Sequence, residues 1–234
     1  MTELEALKER HSIRKYENRP LAEDKIEALR QEIEKLNEAG GLRMQLVTNE
    51  PKAFKSFLAY GSFINVANYV MVVGKKRESM EYRAGYYTEC LVLKAQQLGL
   101  NTCIVGLTYK KVNGTFDVGP DEKVYVCVAV GYGVGEWRKH KIKTPEQVSN
   151  VSDSTPQWFA KGVDAALLAP TAVNQQKFYF EYKAPQIKGN PGGVRPKKLS
   201  SLVGYTKIDL GIAMRNFEIG AGRENFRWVD NPMD

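Results

Sequence analysis

Five residues near the start of the chain, Arg10-His11-Ser12-Ile13-Arg14, bring two guanidiniums and a hydroxyl together. That set suits a phosphate, because guanidinium–phosphate hydrogen bonds are charge-assisted and often bidentate. Each such bond contributes about 1.5–3 kcal/mol. A second segment, Ala169-Pro170-Thr171-Ala172-Val173-Asn174-Gln175-Gln176-Lys177-Phe178, lies between an apolar stretch and a strand-like one. Pro170 ends any helix before it, and Thr171, Asn174 and Gln175 offer the donors and acceptors that a polar heteroaromatic ring needs. Taken singly, the first segment reads as a solvated basic turn and the second as an ordinary connector rich in turn formers.

Regular elements must carry both segments. Leu4 and Leu7 mark a short helix before the arginines. Ile26, Leu29, Ile33 and Leu36 recur at helical spacing, and Gly40-Gly41 stops them. Thr155 as N-cap and Pro156 at the first helical position open a helix expected to run to Leu168. Further helices are expected over Arg83–Leu98, ending at Gly99, and Lys207–Ile219, ending at Gly220. Strands are expected at Met44–Thr48, Tyr69–Val73, Thr102–Val105, Val124–Val130 and Phe178–Tyr182, all rich in β-branched or aromatic residues. Regular strand–helix–strand alternation is missing, which favours an α+β fold over a doubly wound sheet.

The chain also repeats itself. Shifted by 121 residues, Leu91, Leu93, Lys94, Leu98 and Gly99 fall on Ile212, Met214, Arg215, Ile219 and Gly220. The unit from Ile26 to Thr48 reappears with a small offset as Trp158 to Tyr182. The expected organisation is therefore two tandem halves, 1–150 and a shorter 151–234, packed as an intrachain pseudo-dimer.

Several function classes drop out. Lys and Arg outnumber Asp and Glu by 34 to 27, giving +7 and a pI near 9.2, but they are scattered and form no nucleic-acid motif. Neither nucleic acid nor a membrane is an expected partner: no stretch approaches the roughly 18 apolar residues of a span. The acidic start, Met1–Glu5, does not read as a secretory signal, and three cysteines with no Cys-x-x-Cys fit a reducing cytoplasm. With only His11 and His140, a His-rich metal site and a Ser/His/Asp triad have no support. Gly131-Tyr132-Gly133-Val134-Gly135-Glu136 fails as a dinucleotide fingerprint, since its last position is glutamate and no apolar helix follows. Gly189-Asn190-Pro191-Gly192-Gly193 reads as a flexible loop.

Together, Arg-x-Ser-x-Arg near the N-terminus and Ala-Pro-Thr-Ala-x-Asn-x-Gln before a strand resemble the flavin-dependent nitroreductase superfamily. Val126–Gly133 (VCVAVGYG) resembles that family's late strand. The resemblance implies a nitroreductase-like fold and bound flavin mononucleotide (FMN). It also implies NAD(P)H as hydride donor to flavin N5, and a small electron-poor acceptor: a nitroaromatic, a quinone or free flavin. The alternative is an FMN-binding redox sensor or flavin store without turnover. By resemblance, Arg10, His11, Ser12 and Arg14 grip the phosphate and ribityl chain, and Pro170, Thr171, Ala172, Asn174 and Gln175 cover the ring edge. Cys103–Leu107 matches the stretch whose amides approach N5, which assigns Gly106 and Leu107. Arg138, Lys139 and Lys141 stand where the family keeps basic residues near the phosphate, although a solvated basic run fits equally. Tyr109 and Phe116 are weaker candidates for the substrate face. No catalytic side chain and no metal are expected.

One departure from the family is large. The loop that usually follows the arginine motif is replaced by Glu38-Ala39-Gly40-Gly41-Leu42-Arg43, and the loop occurs only in the second half. Family members are typically homodimers whose flavin touches the arginine motif of one subunit and the loop of the other. This chain resembles such a dimer fused into one polypeptide, with one complete FMN set per chain, as a monomer or weak homo-oligomer.

Overall fold

In the computed structural model, residues 1–55, 63–135, 141–185 and 191–234 are described. Helices and strands are mixed, so the chain is α+β. Contacts divide it into two units, Met1–Met80 with Cys90–Arg138, and Glu81–Glu89 with Lys139–Asp234.

The first unit is built on a four-stranded antiparallel sheet. Its strands are β1 (Arg43–Val47), β2 (Tyr69–Lys75), β3 (Asn101–Val105) and β4 (Glu122–Gly131), in the order β1-β2-β4-β3. Tyr69–Gly74 of β2 is buried throughout, which explains its unbroken apolar run. On one face Tyr16, Val47, Phe54, Tyr69, Met71, Cys103, Val105 and Cys127 make a single core. Helix α1 (Glu3–Glu9) starts with a reciprocal capping box between Thr2 and Glu5. Helix α2 (Glu23–Gly40) buries Ile26, Leu29, Ile33 and Leu36 and stops at Gly41, whose φ of +60° costs a glycine little. Asn37 near its end bonds both backbone groups of Met44 (3.1 and 2.6 Å), tying helix to strand.

Helix α3 (Glu78–Gln97) begins more than a turn before the expected Arg83, because its polar first turn hides the start from a periodicity argument. Its middle, Glu81–Glu89, belongs to the second unit. There it meets α6 (Thr206–Ala221) at glycines: a Cβ on Gly85 would sit 2.0 Å from the Ile208 carbonyl oxygen. One on Gly211 would sit 2.0 Å from that of Tyr82. Only hydrogen at both positions permits this backbone approach.

The second unit also holds α4 (Pro145–Val148), α5 (Gln157–Ala166) and a sheet of β5 (Phe178–Lys183), β6 (Gly192–Lys198) and β7 (Phe226–Trp228). Strands β5 and β6 pair antiparallel, β6 and β7 parallel. Phe159, Phe178, Phe180, Phe217, Phe226 and Trp228 fill the space beneath that sheet with rings 4.8–6.0 Å apart.

Three expectations are corrected here. Pro156 is itself the extended N-cap of α5, which ends at Ala166 rather than Leu168; the Thr155 hydroxyl turns back to the Ser152 carbonyl (2.7 Å) instead of capping. Gly220 lies inside α6, where its missing Cβ admits the Lys161 carbonyl of α5, and Gly222 (φ +76°) is the stop. Gly192 and Gly193, read as loop, open β6 under the Tyr182 ring and the Val229 side chain. Pro196 is tolerated there because β7 stops pairing at Val194.

Candidate functional site

Arg10 caps the C-terminus of α1 with an extended backbone, and from Ser12 onward the chain is stitched in place on two sides. Ser12 bridges Thr102 of β3, and the Ile13 N–H donates to the Thr102 carbonyl at 2.9 Å. On the other side, Ile64 N–H donates to Arg14 O (2.9 Å) and Tyr16 N–H to Ile64 O (3.0 Å). Arg10 Nη2 donates to Ser12 Oγ at 3.3 Å, while Arg14 is exposed.

Two glycines of the rejected fingerprint hold this segment. A Cβ on Gly131 would lie 2.8 Å from the Tyr16 ring, and one on Gly133 would lie 2.6 Å from Asn101 Oδ1 and 2.9 Å from Ile13 Cγ2. Tyr16 fills the space beneath, its hydroxyl donating to Ile13 O at 2.6 Å, and burial pushes its phenol far above the usual range. Glycines thus make room for Ile13 and Tyr16, which bracket Arg14 and hold its backbone in place.

Burial also raises the Cys103 thiol, against the opposing charges of Arg14 and Arg10. Strand β3 runs on into the half-buried Gly106 and into Leu107, which is 74% exposed. The first unit thus brings Arg10, His11, Ser12 and Arg14 alongside the strand that leads to Gly106 and Leu107. Tyr109 and Phe116 pack against the core cluster. The Cys127 thiol, also buried, is pushed well above its ordinary value. A thiol held protonated is a poor nucleophile.

In the second unit the segment after α5 forms a single tight turn at Ala172–Asn174. Val173, Asn174 and Gln176 have φ of +45°, +55° and +45°. A β-branched residue in that region is a genuine outlier, and such residues store about 1–3 kcal/mol each. Val173 is 78% exposed at the tip. Many bonds over-determine the turn. Thr171 Oγ1 accepts from Gln176 N (3.0 Å), Gln176 Nε2 donates to Asn174 Oδ1 (2.9 Å), and Asn174 Nδ2 donates to Lys141 O (2.7 Å). Lys143 donates to Gln176 through its backbone N–H (2.8 Å) and its ammonium (2.6 Å), and burial lowers that ammonium's affinity for its proton. Beside the turn lies a hollow of about 400 Å³ lined by Lys141, Ile142, Lys143, Gln147, Val173 and Asn174. Lys141 and the Pro170–Gln175 segment are thereby brought together, whereas Lys139 and Arg138 lie outside the described residues.

Asp209 in α6 is not among the candidates read from the sequence. Only 2% exposed, it accepts Ala172 N–H at 2.9 Å on one oxygen and Gln175 Nε2 at 2.6 Å on the other. Gln175 Nε2 also donates to Gly204 O at 2.9 Å, so both amide hydrogens of Gln175 face protein. The signal was present: an aspartate inside Ile208-Asp209-Leu210-Gly211-Ile212 stands where the helix is otherwise apolar.

Within the first unit, two guanidiniums and a hydroxyl on one segment suit a phosphate; within the second, a rigid turn offers amides and a hydroxyl of the kind a polar ring accepts. The family model described as "Putative TM nitroreductase" matches residues 3–221. A structure described as a putative nitroreductase from Thermotoga maritima is 21% identical with a TM-score of 0.64, covering 96% of this chain and 85% of its own. A nitroreductase family protein from Clostridium difficile is 17% identical with a TM-score of 0.50, covering 67% of this chain and 100% of its own. A nitroreductase with bound FMN from Bacteroides fragilis is 22% identical with a TM-score of 0.47, covering 65% and 100%. A search among curated proteins gives no match.

Proposed function

Because the chain belongs to the Putative TM nitroreductase family, whose model spans nearly all of it, we propose that it is an FMN-dependent oxidoreductase. The observation that carries this reading is the Arg10–Arg14 segment, stitched beside β3 through Ser12, Ile13 and Thr102. Arg10 and Arg14 would hold the phosphate, and Ser12 would donate to it or to the ribityl chain. Gly106, without a side chain, would let backbone amides approach the ring. Pro170, Thr171, Ala172 and Asn174 would border the ring edge, and Lys141 would add charge near the phosphate. FMN, when bound, supplies hydride acceptance from NAD(P)H and delivery to an electron-poor acceptor, here a nitroaromatic, quinone or free flavin. The protein's own work is to bind and orient, and no side-chain acid or base is required of it.

The reading includes two tandem halves with one FMN per chain. Two things support it. The arginine motif and the loop each occur once. The α3–α6 crossing is also reciprocal: Gly85 packs on the residue three before Gly211, and Gly211 on the residue three before Gly85. A two-fold contact pairs residues in that way.

A cytoplasmic setting accords with three cysteines that form no disulfide. Among the described residues no helix is long and apolar enough to cross a membrane.

Anaerobic mixing of the FMN-loaded protein with NADH or NADPH tests the activity. Bleaching of the flavin within seconds, followed by reoxidation with a quinone, is expected, with parallel lines in double-reciprocal plots. A flavin that stays yellow would favour a sensor or store instead.

A further inference from the structure

The strained turn carries its own polar side chains, yet its firmest anchor comes from elsewhere in the sequence. Asp209 stands in α6, almost wholly buried, and each of its oxygens accepts from a different part of the turn: Ala172 N–H and Gln175 Nε2–H. Only a carboxylate offers acceptors on both sides and no donor. An amide, or a protonated carboxyl, turns a donor toward one of those two N–H groups and leaves it unsatisfied, which a buried site tolerates poorly. Positive φ at Val173, Asn174 and Gln176 needs such anchoring, because strain of this kind persists only where surrounding bonds over-determine it.

We propose that Asp209 is a positioning residue for the cofactor. As a carboxylate it locks Ala172 and Gln175 so that Thr171 and Asn174 meet the flavin ring, and on protonation it lets the turn relax. The proposal rests on the FMN reading above. Burial pushes the Asp209 carboxyl up to about 6, against the pull of Ala172 N–H and the Gln175 amide. The loop from Thr171 to Gln176 has no titratable side chain, and Lys177 follows it. Tyr205 caps α6 and Lys207 lies two residues before Asp209, while Glu81 and Tyr82 lie on the facing segment of α3. Lys207 pairs with Glu81 at 3.9 Å.

The test compares FMN dissociation constants of the wild type and D209N by flavin fluorescence quenching, from pH 5 to pH 8. The FMN phosphate titrates in the same range, but it does so for both proteins and cancels in their ratio. At pH 8 the variant is expected to bind roughly ten- to a hundredfold more weakly, the loss of one charge-assisted hydrogen bond. At pH 5 the ratio should fall to about two to ten, since about nine-tenths of Asp209 in the free wild type is then neutral. In the apoprotein at pH 8, amide exchange of Ala172 should be slow in the wild type and fast in D209N, with the later turns of α6 unchanged. A ratio of one at pH 8, a ratio constant with pH, or equal Ala172 exchange overturns the proposal. Failure of both proteins to bind FMN overturns the underlying FMN reading and this role with it. Should D209N not fold, Gln175→Met removes one anchor from the loop side and is expected to weaken FMN in the same direction; undiminished affinity overturns the proposal.

Discussion

Replacing Gly211 by alanine puts the packing of the second unit to a quantitative test. An ideal Cβ there would lie 2.0 Å from Tyr82 O, 2.9 Å from Tyr86 N and 3.0 Å from Tyr82 C. Ordinary carbon–oxygen contacts begin at about 3.3 Å, so the helices must part by roughly an ångström or more. Backbone blocks the way, and no flexible side-chain end can swing aside. Overpacking of this kind costs about 1–3 kcal/mol, and a clash with backbone belongs at the upper end. Alanine's better helix propensity returns about 1 kcal/mol. The expected net loss is about 2 kcal/mol, which for a chain of this length lowers Tm by roughly 4–8 °C. Urea denaturation of the apoprotein followed by tryptophan fluorescence suits the question, since Trp158 and Trp228 sit in the aromatic cluster of this unit. The midpoint should fall with the slope unchanged. In G85A/G211A the second substitution should cost much less than the first, because the helices have already separated. A G211A midpoint at or above that of the wild type would refute the crossing described here.

Further outcomes are expected of single substitutions. Arg14→Ala should weaken FMN binding roughly ten- to a hundredfold in a fluorescence titration, the loss of one charge-assisted bond, with little change in apoprotein Tm since Arg14 is exposed. Asp209 has a folded-state value raised from 3.8 to about 6, so its burial costs stability progressively as pH rises through that window. Between about pH 4 and pH 8 the stability difference between D209N and wild-type apoprotein should therefore move in the variant's favour by about 3 kcal/mol at most. A pH-independent difference would contradict this. Glu181 is held down to about 2 by Lys183 and then Lys197. Its contribution to stability is present above 4.5 and lost as pH falls through 2, so Glu181→Gln should flatten that acid limb in thermal melts. The effect should shrink in high salt, because the site is partly open to solvent.

Much of the scaffold can be read in the sequence wherever one physical rule acts alone. The stripe Ile26, Leu29, Ile33, Leu36 followed by Gly41 defines α2, and the β-branched runs of β2 and β4 define the sheet centre. Misreadings cluster where a residue answers to tertiary contact. Gly220 looks like a helix stop but is a crossing point, and Gly192-Gly193 looks like a loop but clears space for Tyr182 and Val229. Gly131 and Gly133 are similar. They spell most of a nucleotide fingerprint, yet what they admit is Tyr16, Asn101 and Ile13.

The candidate site divides in the same way. Arg10, Ser12 and Arg14 are conspicuous because charge at short spacing has few other uses. Asp209 is conspicuous only as an acid in an apolar helix, and its role acquires meaning when Ala172 and Gln175 are seen to face it. Gln175 was picked out for polarity toward a ligand, and both hydrogens of its amide turn out to serve the protein.

The central claim is that one FMN is held by a motif and a loop that each occur once in the chain. It meets its most direct test in a titration of the apoprotein with FMN, followed by flavin fluorescence at protein concentrations well above Kd. One equivalent per chain is predicted, with both R14A and a replacement of the Pro170–Gln175 turn weakening that single class of site. Two equivalents per chain, or binding insensitive to either change, would contradict the account.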